Sequence, residues 1–360
     1  MRGSADLNKN NLDFLRLVLA STVFLFHVNA LTGIPAFAPL GRYTSAPFAV
    51  RSFFVISGLL IYRSYTRSSS VSSYFEKRVR RIYPAYFTII VLAALALSSL
   101  STLPLSQYFG IGFWKYLGAN LVFLNFLAPT LPGVFTANNN LPVNGALWTL
   151  KIEAAFYLFV PVMHYLCNRF GTKKTIGTIF ALSCAWKYGF ALLASLHSSP
   201  SAYSLDSTRN IYEQLEVQFP AQLVYFSAGI LILLYFDKLK HHFRSILAIT
   251  ICAYVIDHLF TKNSLDVVWI SGIVLLVGFW RYFGNFSKHG DFSYGVYIVH
   301  WPILQTLICL GLAAKLSPPI FFLVSVLLVG VSSGLMWTLV ESRFLTTSSH
   351  YRQTATKSSA

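Results

Sequence analysis

Long apolar runs alternate with short polar segments along the whole chain. Ten runs have close to the length of a membrane-spanning helix, which needs about 20 mostly apolar residues. They lie at residues 11–31, 47–62, 83–100, 146–166, 175–196, 220–236, 243–260, 265–282, 292–314 and 319–340. The pattern therefore predicts an all-α membrane protein with about ten transmembrane helices.

One further segment, 111–131, is apolar but is interrupted by lysine, glycine, asparagine and proline. If it crossed the membrane, the basic turn 168–174 would lie outside the cell, although basic residues favour cytoplasmic loops. As an interfacial or re-entrant element on the outer face, it leaves most basic residues and both termini inside. We expect a membrane domain over residues 1–345 and a short cytoplasmic tail over 346–360.

The composition supports a membrane protein and argues against other classes. Hydrophobic residues make up 55% of the chain and charged residues only 11%, far from the composition of soluble domains. The net charge of +16 is explained by the predicted cytoplasmic loops, so we expect no nucleic-acid partner. The four cysteines lack metal-ligand or redox spacing, and we expect no metal site. The first run lacks a small-residue cleavage site, which predicts a retained signal anchor.

The first apolar run carries ionisable residues that membrane helices usually exclude. Arg16 and His27 are eleven positions apart, three helical turns to within about 20°, so they share one face roughly 16 Å apart. Two aligned ionisable residues predict a polar cavity that the other helices surround. The alternative is that Arg16 snorkels to the interface and His27 makes a polar contact between helices.

Two arginines precede the third run. Arg78 and Arg81 in RVRRIYP are three positions apart, so they point the same way on a helix, and the proline stands where a membrane helix can begin. A pair of guanidinium groups at the cytoplasmic face suits phosphate, whereas a pair standing alone would be ordinary topogenic charge. Because Arg16 enters the membrane from the same side, we interpret the three arginines as a phosphate-binding group.

A carboxylate lies inside the fourth run. Glu153 in LWTLKIEAAFYLFVP is about one and a half turns from the outer end, near the depth expected of His27 on an oppositely directed helix. A carboxylate in reach of an imidazole orients it, fixes its tautomer and stabilises its protonated form. Pairing of Glu153 with Lys151 or Arg51 is the structural alternative.

The ninth run begins with DFSYGVYIVHWPI. Ser293, Tyr297 and His300 share one helical face at spacings of four and three, and His300 falls near mid-membrane. We expect these three residues to line the cavity, together with Asp13 and Trp148. A histidine next to a Trp-Pro pair is equally often a polar contact at a helix kink.

These stretches together resemble the acyltransferase 3 family of integral membrane acyltransferases. The resemblance spans nearly the whole chain and is carried, in order, by LDFLR with Arg16 and His27, FFVISGLLI, RVRRIYPAY, LWTLKIEAAFYLFVP and FSYGVYIVHWPI. It implies a ten-helix membrane domain that takes an acyl group, most often acetyl, from cytoplasmic acyl-CoA to an extracytoplasmic acceptor such as a carbohydrate. It also implies that Arg16 and His27 are the essential pair of the first helix, and that Arg78 and Arg81 handle acyl-CoA.

Two departures from the family pattern limit this resemblance. Phe14 stands where the family usually has glycine, and ESRF at Glu341 lacks the usual proline. We therefore assign no catalytic role to Glu341 and expect it to pair with basic residues at the inner face. Because the chain ends soon after the tenth run, we expect it to lack the soluble hydrolase-like domain that some relatives append.

Residues and resemblance together predict a membrane O-acetyltransferase of the bacterial inner membrane. Acetyl-CoA is the expected donor, no cofactor is expected to be tightly bound, and the expected acceptor is a hydroxyl of a surface polysaccharide, lipopolysaccharide or oligosaccharide. The hypothesis places the CoA phosphates on Arg16, Arg78 and Arg81. His27 acts as general base, with Glu153 orienting it. A covalent acyl-histidine relay is the other route.

Two other classes of protein stay open at this point. Ten spans with buried ionisable residues also suit a secondary transporter or flippase, although transporters commonly have paired halves with matching broken helices, which this sequence does not show. A non-enzymatic receptor or assembly factor would need an extracytoplasmic domain or motif, and none is recognisable in the sequence.

Overall fold

A computed structural model describes residue 7 and residues 9–197, 211–261 and 264–346 of the chain. Within these ranges the regular structure is helical and contains no strand. The longer helices are α1 (Leu12–Thr32), α2 (Ala46–Thr66), α3 (Val71–Ala96), α4 (Ile111–Leu121), α5 (Trp148–Phe170), α6 (Thr172–Leu196), α7 (Phe219–Leu239), α8 (Phe243–Ile256), α9 (Asp266–Phe279), α10 (Ser293–Cys309) and α11 (Pro318–Leu335). Short helices lie at Ala38–Tyr43, Leu105–Tyr108, Ile211–Glu216, Leu312–Lys315 and Ser342–Phe344, 3₁₀ turns at Pro35–Phe37, Leu97–Leu100, Asn125–Leu127, Gly145–Leu147 and Phe286–His289, and π-helical turns at Asp257–Thr261 and Met336–Glu341.

The predicted all-α membrane architecture is confirmed. Eight helical segments of the described chain are long and apolar enough to cross a membrane, namely Leu12–Thr32, Pro35–Thr66, Val71–Leu100, Gly145–Phe170, Thr172–Leu196, Ile211–Leu239, Phe243–Thr261 and Pro318–Phe344. The other two predicted spans are also helical, with 14 residues in α9 and 17 in α10. Helices thus occupy all ten predicted spans, while the number that cross the bilayer, their orientation and the polar cavity stay predictions. Residues 347–360 of the predicted tail lie outside the described residues.

The helical part of the segment 111–131 is too short to span a membrane. Helix α4 has 11 residues, roughly 16 Å against about 30 Å of bilayer hydrocarbon. After it, Phe123 and Phe135 adopt positive φ angles of 64° and 57°, a conformation that bulky residues keep only when surrounding contacts hold it. The Asn120 amide supplies one such contact by donating to the carbonyl of Ala128 at 2.8 Å. The segment is therefore an ordered non-spanning element, and its place on the outer face stays a prediction.

The chain divides into two compact units. The first takes its described residues from Met1–Leu15, Val50–Tyr74 and Ile152–Gly284. In it α6 and α9 each pack against α7, and α8 packs against α9. The second takes its described residues from Arg16–Ala49, Phe75–Lys151 and Asn285–Ala360, and in it α10 packs against α11.

Two glycines lie at a close crossing of two helices in the first unit. A Cβ atom on Gly58 of α2 would overlap the carbonyl oxygen of Phe226 in α7, and one on Gly229 of α7 would overlap that of Val55 in α2. Small residues at such a crossing let backbones approach, which is a main source of helix association in membranes. The two glycines therefore allow α2 and α7 to pack with their backbones in contact.

A buried ionic cluster also lies in the first unit. Asp266, at the start of α9, has a fully buried side chain that accepts from Arg51 Nη1 at 2.8 Å and from Lys187 Nζ at 2.5 Å. The Tyr225 hydroxyl donates to the same carboxylate at 2.5 Å. A carboxylate in this setting needs such partners, because a lone buried charge is costly. The cluster joins α2, α6, α7 and α9.

Prolines inside two helices are compensated by donors from elsewhere in the chain. Proline has no N–H to give to the carbonyl four residues earlier. In α5, Pro161 leaves the carbonyl of Tyr157 without its helical donor, and the Tyr74 hydroxyl donates to it at 3.2 Å. In α10, the carbonyl of Ile298, four residues before Pro302, accepts from the Asn144 amide at 2.8 Å. Both helices stay intact because tertiary contacts replace the lost bonds.

Candidate active site

A carboxylate joins the two arginine motifs in the second unit. Asp291 precedes α10, and its Oδ2 atom accepts from Arg16 Nη1 at 2.9 Å and from Arg81 Nη2. Its Oδ1 atom accepts from the Ser293 hydroxyl and, at 3.1 Å, from the Ser293 backbone N–H, so the same side chain satisfies the first backbone N–H of α10. The side chain of Asp291 is only 2% exposed. Arg16 and Arg81 are therefore brought together, as predicted from the motifs, but around an anion of the protein itself.

Sequence reasoning had missed Asp291. The available signal was the Asp-x-Ser pattern at the start of an apolar run, which is typical of a capped helix. That signal identifies a cap and says nothing about arginines elsewhere in the chain.

A second carboxylate completes this cluster. Glu341 ends the π-helical turn Met336–Glu341, and its Oε2 atom lies 3.4 Å from Arg81 Nη1. The expected pairing of Glu341 with a basic residue is thereby confirmed. Two guanidinium groups and two acidic side chains thus lie together, and Asp291 supplies the carboxylate that both arginines share. Arg78 lies half-buried on the same helix as Arg81, and the phosphate-binding role of the three arginines stays a prediction.

His27 of α1 and His300 of α10 form a second polar contact in this unit. His27 Nδ1 lies 3.0 Å from His300 Nε2, and the two rings are nearly parallel, with planes 12° apart. The other ring nitrogen of His300, Nδ1, lies 3.1 Å from the carbonyl oxygen of Val296. His27 is 8% exposed and His300 is fully buried. The sequence placed both residues in membrane helices but did not predict that they meet.

Aromatic residues surround the two histidines. The Trp301 ring stands edge-on to His27 with centroids 4.7 Å apart, and the Tyr297 ring is 6.1 Å from that of His300. The Tyr297 hydroxyl shares a 2.6 Å hydrogen bond with the Thr149 hydroxyl. Tyr297 and His300, which were predicted to share a face of α10, thus lie next to each other beside His27.

Residues 122–144, the largely irregular segment after α4, are called the outer segment here because they are predicted to lie on the outer face. This segment is hydrogen-bonded to α10 beside the two histidines. Gln305 Oε1 accepts from Asn138 Nδ2 at 2.9 Å, and its Nε2 donates to the carbonyls of Asn140 and Pro142 at 2.5 and 3.1 Å. The indole N–H of Trp301 donates to the same Pro142 carbonyl at 3.2 Å. The residue that packs against the catalytic candidate therefore also holds the outer segment in place.

Glu153, the predicted partner of His27, belongs to the first unit. Its carboxylate accepts from the Tyr157 hydroxyl at 2.7 Å. The structural alternative of pairing with Arg51 is not observed, because Arg51 pairs with Asp266. The predicted orienting role of Glu153 towards His27 stays a prediction.

The remaining predicted site residues are Asp13 and Trp148. Asp13 is half-buried in the first unit, and Trp148 is 38% exposed in the second. Lining of a cavity by either residue stays a prediction. Among the residues that the structure describes, no group of three or more His, Cys, Asp and Glu is placed to hold a metal ion.

Comparison with known proteins identifies related sequences. A family model described as an acyltransferase domain matches residues 9–337. Nodulation protein 10 of Rhizobium leguminosarum bv. viciae is 30% identical over 335 residues, covering 84% of this chain and 85% of that protein. The O-acetyl transferase of Shigella phage Sf6 is 28% identical over 355 residues, covering 95% of this chain and 98% of that protein. The O-acetyltransferase OatA of Staphylococcus aureus (strain NCTC 8325 / PS 47) is 28% identical over 188 residues, 48% of this chain and 27% of that protein. No solved structure gives a significant match.

Proposed function

The chain belongs to the acyltransferase 3 family of integral membrane acyltransferases, and from this premise we propose that it moves an acetyl group from cytoplasmic acetyl-CoA to a hydroxyl of an extracytoplasmic carbohydrate. The proposed acceptor is a surface polysaccharide, lipopolysaccharide or oligosaccharide at a bacterial inner membrane. The observation that carries the proposal is His27, a residue inside a predicted span that is 8% exposed and whose imidazole lies 3.0 Å from that of a second histidine. The printed name of the phage relative, O-acetyl transferase, supports this reaction type.

The reaction needs a base for the acceptor hydroxyl. In the direct route His27 takes the hydroxyl proton while the oxygen attacks the thioester carbonyl carbon. The carbon–sulfur bond breaks, the new ester leaves with the acceptor, and the proton passes from His27 to the CoA thiolate. In the relay route a nitrogen of His27 attacks first, which releases CoA, and the acceptor then takes the acetyl group from the acyl-imidazole.

Acetyl-CoA without acceptor separates the two routes. Radiolabelled donor should leave a label on His27 in the relay route, located by peptide mass spectrometry after rapid quenching. In the direct route the protein should stay unlabelled while acceptor is acetylated in a parallel reaction.

The donor assignment is tested through two neighbouring arginines. Arg78 is half-buried and lies three positions before Arg81 on the same helix, whereas Arg80 is exposed and pairs with Glu76 at 2.9 Å. Arg78→Ala should weaken binding of acetyl-CoA by roughly tenfold or more, as expected for loss of a charged hydrogen bond of about 1.5–3 kcal/mol. Arg80→Ala is the matched control and should bind donor as the wild type does. Equal affinities of the two variants would overturn the phosphate assignment.

The whole proposal is tested with full-length protein in lipid nanodiscs. Purified wild type should transfer acetyl from acetyl-CoA to oligosaccharide, and His27→Ala should lose at least about 100-fold in rate. His258→Ala, at an exposed histidine of another helix, is the control for loss of an imidazole. Near wild-type transfer by His27→Ala would overturn both routes. Mass spectra of surface glycans with and without the gene would identify the acceptor.

The transporter or flippase alternative receives no support from the relatives. Those that carry a functional name are transferases, and the family itself is one of acyltransferases. We therefore propose acyl transfer as the function to be tested.

A further inference from the structure

We propose that His300 is a positioning residue that fixes the tautomer of His27, so that the lone pair of His27 Nε2 is presented to the reacting groups. This inference rests on the proposed function and assigns a task to a second residue of the same site. It follows from a chain of hydrogen bonds that starts at a backbone carbonyl of α10 and ends at His27.

The first bond settles where His300 carries its proton. A carbonyl oxygen only accepts, so the 3.1 Å contact between His300 Nδ1 and the Val296 carbonyl requires a proton on Nδ1. A neutral imidazole has one N–H, and the Nε2 atom of His300 is then an acceptor. The helix backbone itself thus chooses the tautomer of His300.

The second bond transmits this choice to His27. His300 Nε2 lies 3.0 Å from His27 Nδ1, and an acceptor there requires the proton of His27 on Nδ1. The remaining nitrogen of His27, Nε2, keeps its lone pair. This is the form that a general base or an attacking nitrogen needs, since both reactions begin from a free lone pair.

The opposite arrangement would need a charged His300. If His27 Nδ1 were the acceptor, His300 would carry protons on both nitrogens and would be a cation with no exposed surface. An isolated buried cation is strongly disfavoured. The neutral pair with both Nδ1 atoms protonated is therefore the arrangement that the geometry points to.

Exposure separates the tasks of the two histidines. His27 is 8% exposed and His300 is 0% exposed, so His27 is the histidine that we assign to the contact with substrate. When His27 accepts a proton on Nε2, its Nδ1–H still points at the His300 lone pair, and that bond stabilises the positive charge. His300 therefore acts through His27, as the third member of a catalytic triad acts on its histidine.

Two substitutions of His300 separate this task from a structural one. A glutamine amide reaches about as far as Nε2, so His300→Gln keeps an acceptor for His27. An asparagine amide reaches only about as far as Nδ1, so His300→Asn keeps the bond to the Val296 carbonyl and loses the one to His27. In nanodiscs we expect His300→Gln to stay within about tenfold of the wild-type rate, and His300→Asn to lose about 100-fold or more at a similar melting temperature. Equal rates for the two variants would overturn the proposal.

A nitrogen NMR measurement tests the tautomer of His27 directly, without an activity assay. In protein labelled with ¹⁵N-histidine, the two ring nitrogens of a neutral histidine have different shifts according to which one is protonated, and the His27 signals are identified by their loss in His27→Gln. We expect a protonated Nδ1 in the wild type and in His300→Gln, and a mixture of tautomers in His300→Asn. A wild-type His27 protonated on Nε2 would overturn the proposal even in an active enzyme. Absence of transfer by a wild type with the expected tautomer would instead refute the proposed function alone.

Discussion

Arg16 Nη1 of α1 lies 2.9 Å from the Oδ2 atom of Asp291, which stands two residues before the start of α10. His27 lies eleven positions after Arg16, and His300 lies nine positions after Asp291. The two histidines contact each other. Both helices therefore run in the same direction at this interface, and each residue of the Arg-x10-His spacing has its partner on, or just before, one other helix. The ion pair sets the register in which the histidines meet.

Loss of the Asp291 charge should destabilise this interface. In Asp291→Asn the amide oxygen can still accept from the Ser293 backbone N–H, but Arg16 and Arg81 lose their shared carboxylate. Breaking a buried ion pair on one side typically costs about 3–5 kcal/mol, so we expect a clearly lower melting temperature in a fluorescence thermal-shift assay. Activity should fall as well, because the histidine contact depends on the same register.

Asp237→Asn provides the matched control for this experiment. The Asp237 side chain is 71% exposed and pairs with Lys240 at 3.4 Å, and exposed pairs contribute little to stability. Its melting temperature should stay near that of the wild type. A control that loses as much stability as Asp291→Asn would contradict the register argument.

The crossing of α2 and α7 should not tolerate even one methyl group. Gly229→Ala places a Cβ atom against the carbonyl of Val55, and overpacking of this kind costs about 1–3 kcal/mol. Gly189→Ala, in α6 and facing open space, should stabilise the helix by about 0.5–1 kcal/mol, because alanine loses less backbone entropy than glycine. Thermal unfolding of the two variants should therefore shift in opposite directions. A shift in the same direction would show that the helices can separate at this point.

Removal of the Gln305 amide should loosen the outer segment. Gln305→Leu leaves the carbonyls of Asn140 and Pro142 without this donor, at a cost of about 1–3 kcal/mol. We expect faster hydrogen–deuterium exchange over residues 138–142, measured by mass spectrometry in nanodiscs. Thr306→Val is the control, because the Thr306 hydroxyl bonds only within its own helix, to the Pro302 carbonyl at 2.7 Å. Unchanged exchange in Gln305→Leu would mean that other contacts hold the segment.

The buried cluster of the first unit should depend on Asp266 more than on either cation. Asp266→Asn removes the negative charge that Arg51 and Lys187 share, so we expect a loss of about 3 kcal/mol or more. Lys187→Met in the same chain should restore part of this stability, because one uncompensated positive charge is then gone. A double-variant cycle read by thermal unfolding measures this coupling. Additive losses would contradict a shared carboxylate.

The sequence by itself determined the helices and their faces. Apolar runs of spanning length recur at ten positions, and each contains a helix in the structure. The spacing of Arg16 and His27, and that of Tyr297 and His300, predicted which side chains share a face, because the backbone hydrogen bonds of a helix fix its period locally. Membership of the acyltransferase family was also evident from these stretches.

The tertiary structure decided which faces meet. The pairing of His27 with His300 joins residues 273 positions apart. The Asn144 amide, which compensates for Pro302, donates to the Ile298 carbonyl across 154 positions. The sequence shows that Pro302 frees a carbonyl and that His27 is polar, but local periodicity does not say which helix supplies the partner. That choice depends on how all helices pack and in which register, which is a property of the whole chain.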